Sequence, residues 1–169
     1  MKNINKIFDS ICNTLLALGL GISFTLHGVG KFPLPPTRMV DWFAGMGYKN
    51  PEAVTSLVAI GEVAAGVGII IGGLLYLLNL KVKEKEFFIV GDIVTRLSAL
   101  GVVIIMIGAI YIAHSDWFEP CQIGDSASRL NDFLGHIKFC PTKKFFMSEQ
   151  IFLLLLGFYF TLKGNNKSF

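Results

Sequence analysis

Residues 53–80 read AVTSLVAIGEVAAGVGIIIGGLLYLLNL, and this run decides the fold. Glu62 is the single charge among its 28 residues. About 20 apolar residues suffice to cross a bilayer as a helix, and no helix of a water-soluble protein needs so much unbroken apolar surface. The run therefore reads as a membrane span. A carboxylate inside a span costs about 3 kcal/mol on insertion scales. Glu62 is thus expected to be protonated, paired or turned toward a polar cavity, so the bundle around it holds something polar.

Three further apolar segments flank this one, and the spans are drawn at residues 10–30, 54–80, 88–113 and 145–162. The second is long: at 1.5 Å per residue it exceeds a core of about 30 Å, so it tilts or protrudes. The fourth has 13 uncharged residues between Glu149 and Lys163. It spans if Glu149 lies at one interface and Lys163 snorkels to the other. The fold class expected is all-α, a four-transmembrane-helix bundle in one domain over residues 1–169. The first loop, residues 32–51, opens with Pro33, Pro35 and Pro36, which stop the first helix. Met39, Val40, Trp42, Phe43 and Met46 then recur at helical spacing. They predict a short amphipathic helix lying on the membrane in the first outer loop, with Trp42 at headgroup level.

Composition agrees. The apolar fraction is 53%, against about 45–50% in globular domains, and the mean hydropathy is +0.60. There are 15 Phe and 18 Gly, residue types frequent in packed membrane helices. The net charge of +3 comes from residues in loops and ends rather than from a stripe, which argues against nucleic acid as a partner. The first run is too long for a signal-peptide core and lacks a small-x-small cleavage site, so no cleaved leader is expected. Lysines 2, 6, 81, 83, 85, 163 and 167 crowd three short segments. An equal number, Lys31, Arg38, Lys49, Arg129, Lys138, Lys143 and Lys144, spread over more than twice that length. The positive-inside rule then places both termini in the cytoplasm.

Cys12 falls in the first span and reads as a small buried hydrophobe. Cys121 and Cys140 bracket the second outer loop, which also carries a helix expected near residues 126–137. In an oxidising compartment the two can pair, and closing a loop of this size contributes roughly 3 kcal/mol. A redox-active pair is the alternative, but such enzymes lean on Cys-x-x-Cys, which is absent. His136 beside Cys140 leaves a zinc site short of ligands, so no metal is expected.

His27-Gly-Val-Gly-Lys31 closes the first helix, and the four-residue spacing puts His27 and Lys31 on one helical face. Gly61-Glu-Val-Ala-Ala-Gly66 sits early in the second span, and Gly68-x-x-x-Gly72 matches the small-residue pattern of tight membrane packing. His114 ends the third span and Glu149 begins the fourth. His27, Glu62, His114 and Glu149 thus converge on the outer half of the bundle, either as a ligand or proton site or as interfacial residues around a packing lock. Arg96 lies near the inner end of the third span, four residues after Asp92. It reads as a snorkelling anchor, an inner site, or a strap between helices.

These pieces together resemble the DoxX family of small four-helix membrane proteins, which includes DoxD-like sequences. The resemblance is carried by His27-Gly-x-x-Lys31, Gly61-Glu-x-x-x-Gly66 and Thr95-Arg-Leu-Ser-Ala99. Met106, Ala109 and His114 follow, then Glu149 and the tail Lys163-Gly-Asn-Asn-Lys-Ser168. The charged insertion Lys81-Val-Lys-Glu-Lys-Glu86 and the long loop from Cys121 to Cys140 depart from it. The resemblance implies a multi-pass protein of a bacterial inner membrane, in contact with lipid and with a larger complex or with copies of itself. DoxD-like members are subunits of a thiosulfate:quinone oxidoreductase, and other members are linked to membrane redox complexes. Under that reading His27, Lys31, Glu62 and His114 are the catalytic candidates, and His27, Glu62, Arg96 and Glu149 the candidates for holding a quinone. No haem pair, Fe–S cysteine set or nucleotide loop is present, so a redox cofactor would be a quinone or belong to a partner. The alternative is a non-catalytic accessory subunit that fixes a larger assembly in lipid.

Overall fold

A computed structural model describes residues 2–82, 85–113 and 144–164, with side chains over 8–78, 86–112 and 150–164. Five helices follow one another, with no strand among the described residues: α1 (Lys2–Val29), α2 (Thr37–Gly45), α3 (Pro51–Val82), α4 (Lys85–Ala113) and α5 (Lys144–Lys163). Three carry apolar stretches long enough to cross a membrane, at Phe8–Val29, Pro51–Leu78 and Glu86–Ile112. In α5 the apolar stretch is the shorter Gln150–Lys163. The helix expected near residues 126–137, together with Cys121, Cys140, His136 and His114, lies outside the described residues.

Local chemistry explains the boundaries. α1 closes through Gly30 and Lys31, whose amides donate to the Leu26 and Gly28 carbonyls at 2.9 and 3.0 Å. Prolines 33, 35 and 36 then exclude further helix. α2 starts directly after Pro36, where the Met39 and Val40 amides reach the Pro36 carbonyl. Its Phe43 is buried and stacks on Tyr48 at 5.0 Å between centroids, while Trp42 meets Phe43 edge-on at 5.2 Å. Pro51 occupies the first turn of α3, where its missing N–H costs nothing, and Glu52 beside it suits the positive helix end.

α3 is the hub. α1 packs on one side of it and α4 on another, α2 rests against it, and α5 docks mainly on α4 with a lighter contact to α1. The helices meet around Leu20 and Phe24 of α1, Ala65 and Ile69 of α3, Ala99, Val102 and Met106 of α4, and Leu153 and Phe160 of α5. Outside, the pattern inverts the soluble norm. The helices turn Leu57, Leu97, Ile104 and Leu155 outward, an apolar surface that only lipid covers at low cost.

Glycines set how closely the helices approach. A Cβ on Gly66 would lie 2.5 Å from the Thr25 amide nitrogen and 2.6 Å from the Gly21 carbonyl oxygen, so α1 and α3 touch backbone to backbone there. Gly72 does the same toward α4, where a Cβ would lie 2.9 Å from the Gly91 carbonyl oxygen and 3.0 Å from the Thr95 nitrogen. The small residues after Glu62 thus serve two seams, Gly66 facing α1 and Gly68 with Gly72 facing α4. Backbone contact of this kind is a main source of helix association where lipid competes for apolar surface.

Candidate functional site

Glu62 lies in the fourth turn of α3 and is 2% exposed. The Lys31 ammonium, from the turn after α1, donates to its Oε2. Gly28 makes room for the pair: a Cβ there would fall 2.8 Å from the Val63 nitrogen and 2.9 Å from Glu62 Cβ. The α1 backbone therefore presses directly on the turn that bears the carboxylate. Removing one partner of a buried pair typically costs 3–5 kcal/mol. Lys31 retains 17% side-chain exposure, so part of that cost is relieved by solvent or headgroups.

His27 is placed differently from the spacing argument. It is exposed, while Lys31 is half-buried against Glu62. The four-residue rule holds only while the helix continues, and α1 ends at Val29, before Lys31. Lys31 is also no loop charge of the kind counted for topology, since it is committed to a carboxylate within a span. Glu149 belongs to α5 by its backbone, but its side chain, like His114, lies outside what is described. Of the cluster read from sequence, the structure brings Lys31 and Glu62 together.

Arg96 stands at the opposite end. Its Nε donates to Asp92 Oδ2 at 2.7 Å, the ion pair expected from their spacing. Nη1 donates to the carbonyls of Thr161 and Leu162 at 3.1 and 2.5 Å, and Nη2 to that of Lys163 at 2.8 Å. Of the sequence readings, the strap between helices is the one this geometry matches. Gly72 of α3 packs against Thr95 of α4, so Arg96 sits about ten residues, roughly 15 Å, along α3 from Glu62. The two are separate sites.

Sequence reasoning missed a polar set at this second end. Ser10 and Tyr76 share a hydrogen bond of 2.7 Å between their hydroxyls, tying α1 to α3. The Tyr159 hydroxyl donates to Asn13 Oδ1 at 2.8 Å, tying α5 to α1, and accepts from Lys163 Nζ at 2.6 Å. Ser10, Asn13 and Thr14 fall at helical spacing on one face of α1. That spacing in an otherwise apolar run was the available signal. Lys163 reaches back over the Tyr159 ring, 4.9 Å from its centroid, instead of snorkelling outward.

Helices with an apolar outer surface and charges turned inward define a multi-pass α-helical membrane protein. Residues 13–80 match the DoxX family model, which supports assigning the chain to the DoxX family. The match runs from Asn13 in α1 through α2 to Leu80 in α3 and contains both Lys31 and Glu62, whereas α4 and α5 lie beyond it. No curated protein and no solved structure matches the chain.

Proposed function

We propose that the chain is a DoxX-type membrane subunit working beside a redox or envelope complex, with Lys31 and Glu62 as its proton- or quinone-handling pair. The burial of an ion pair within a span supports this reading, because such residues mark ion, proton or ligand sites far more often than surface charges do. Glu62 would take up or release the proton as a quinone headgroup changes oxidation state. A positioned carboxyl of this kind is worth typically 10²–10⁴ in rate. Lys31 would stabilise negative charge on the headgroup oxygen. His27, one residue from Gly28 and exposed, would exchange protons with the surroundings. In this reading α1, α3, α4 and α5 form the four-helix membrane bundle and α2 lies at the outer surface. Both termini are cytoplasmic, His114 and Glu149 complete the cluster, and Cys121 pairs with Cys140.

An accessory role without chemistry is the second reading. The close approach of Gly28 to Glu62 favours it, since the pair then welds α1 to α3. The two readings part at the neutral double variant Lys31→Met/Glu62→Gln, which removes both charges and leaves neither stranded. Membranes lacking the native chain are complemented with wild type, Glu62→Gln or the double variant, then assayed for electron transfer to an added short-chain quinone. Proton handling predicts that both variants accumulate and neither restores transfer. Wild-type transfer in the double variant would falsify it and leave the accessory role.

A further inference from the structure

We propose that Arg96 is an intramembrane cap that lets α5 end inside the hydrocarbon layer, and so fixes the depth of that helix. The last four carbonyls of any helix lack partners within it, and in lipid no water replaces them. In α5 all four are satisfied. The Gly164 amide donates to Phe160 at 2.8 Å, and Arg96 donates to Thr161, Leu162 and Lys163. Gly164 itself has φ +62°, the left-handed conformation of a helix-ending glycine. A Cβ there would press into the Asp92 carboxylate and the Arg96 guanidinium. Asp92 balances the guanidinium charge, and the negative end of the α5 dipole adds to the attraction.

The register gives the depth. Arg96 lies eleven residues after Lys85, the start of α4, so α5 ends about 16 Å short of the amino end of its neighbour. A core of about 30 Å centred on the α4 span Glu86–Ile112 covers roughly residues 89–109 and puts Arg96 about 10 Å inside its edge. The outer face of α4 remains apolar beyond that level, with Phe87, Ile89 and Val90 exposed. Lys163 is bonded back to Tyr159 rather than extended toward headgroups. A helix built to reach the surface needs neither feature.

The test is a depth measurement on the full chain in liposomes. Nitroxide labels go to single cysteines at Leu162 and Phe87, both exposed, with the native cysteines replaced by alanine. Relaxation by oxygen and by a water-soluble nickel chelate reports depth. The Leu162 label is expected about 13 Å deeper than the Phe87 label, and equal depths would overturn the proposal. Arg96→Gln is expected to move the Leu162 label several Å toward water, or to split it into two populations, with Arg96→Lys intermediate. Asp92→Asn, a milder change that keeps the guanidinium, is expected to shift it in the same direction. An unmoved Leu162 label in Arg96→Gln or Arg96→Lys would show that Arg96 is not the cap.

Discussion

Replacing Gly66 by alanine tests whether backbone contact between α1 and α3 holds the bundle. The new methyl would sit 2.5 Å from the Thr25 nitrogen and 2.6 Å from the Gly21 carbonyl oxygen. Ordinary carbon contacts are about 3.5–4.0 Å, so the helices must part by roughly 1 Å. The Thr25 hydroxyl also lies against this position, but these two atoms are backbone, and no rotamer change relieves them. Overpacking of this kind costs typically 1–3 kcal/mol. Gly19 provides the control on the same pair of helices: it is exposed and has nothing within 4 Å of a Cβ. Alanine there should stabilise by about 0.5–1 kcal/mol through helix propensity alone. The two single variants should therefore differ by about 1.5–4 kcal/mol. Reversible unfolding in mixed micelles with increasing SDS measures that difference. Gly66→Ala as stable as Gly19→Ala would refute the reasoning, because the seam would then tolerate a methyl at its closest point.

The remaining predictions are independent of one another. Tyr159→Phe and Asn13→Ala should each cost about 0.5–1.5 kcal/mol, and a double-mutant cycle should return a favourable coupling of similar size, measured by the same unfolding. Gly164→Ala should destabilise by about 1–3 kcal/mol from left-handed strain, with a further loss from collision with Asp92, whereas Gly164→Asn should recover part of the strain. If Cys121 and Cys140 are joined, the chain denatured without reductant should expose one titratable thiol, Cys12, and three after reduction.

What the sequence made legible followed from one-dimensional rules. Residues 53–80 announced a span because hydropathy needs no partner to be read, and the prolines after Phe32 marked the end of α1 because their effect is local. Glu62 was recognisable as a charge that had to be protonated, paired or turned toward a polar cavity, since burial demanded compensation, and Lys31 was already in view as a candidate. His27 was misplaced because the spacing rule was applied across a helix end that occurs at Val29. Arg96 could be read as anchor, site or strap, and only the docking of α5 on α4 distinguishes them. Its acceptors are backbone carbonyls some 65 residues away, and carbonyls leave no trace in residue identity. Tyr76 and Tyr159 were missed for a related reason: a tyrosine in a span looks apolar until its hydroxyl has a neighbour.

The layer between the two charged sites limits what Lys31 and Glu62 can do. Leu20, Phe24, Ile69 and Val102 fill the bundle at this level and are almost fully buried. Thr25 lies there too, but its hydroxyl turns back to the Gly21 carbonyl at 2.8 Å. A proton hop needs donors and acceptors within about 3 Å of each other, and the sites lie roughly 15 Å apart along α3. Thr25, Ser98 and Thr95 set hydroxyls against Gly66, Gly68 and Gly72 along this stretch, but no ionisable side chain of α3 or α4 stands between Glu62 and Arg96. If Glu62 exchanges protons as proposed, this layer confines the exchange to the end of the bundle that carries α2, which suits a subunit delivering protons to a reaction on that side and not a conductor across the membrane. Proteoliposomes holding the protein and a trapped pH-sensitive dye should therefore keep an imposed pH gradient as long as empty vesicles do. A leak that appears with the wild-type chain and disappears in Glu62→Gln would mean the apolar layer opens, and the confinement argued from its packing would be wrong.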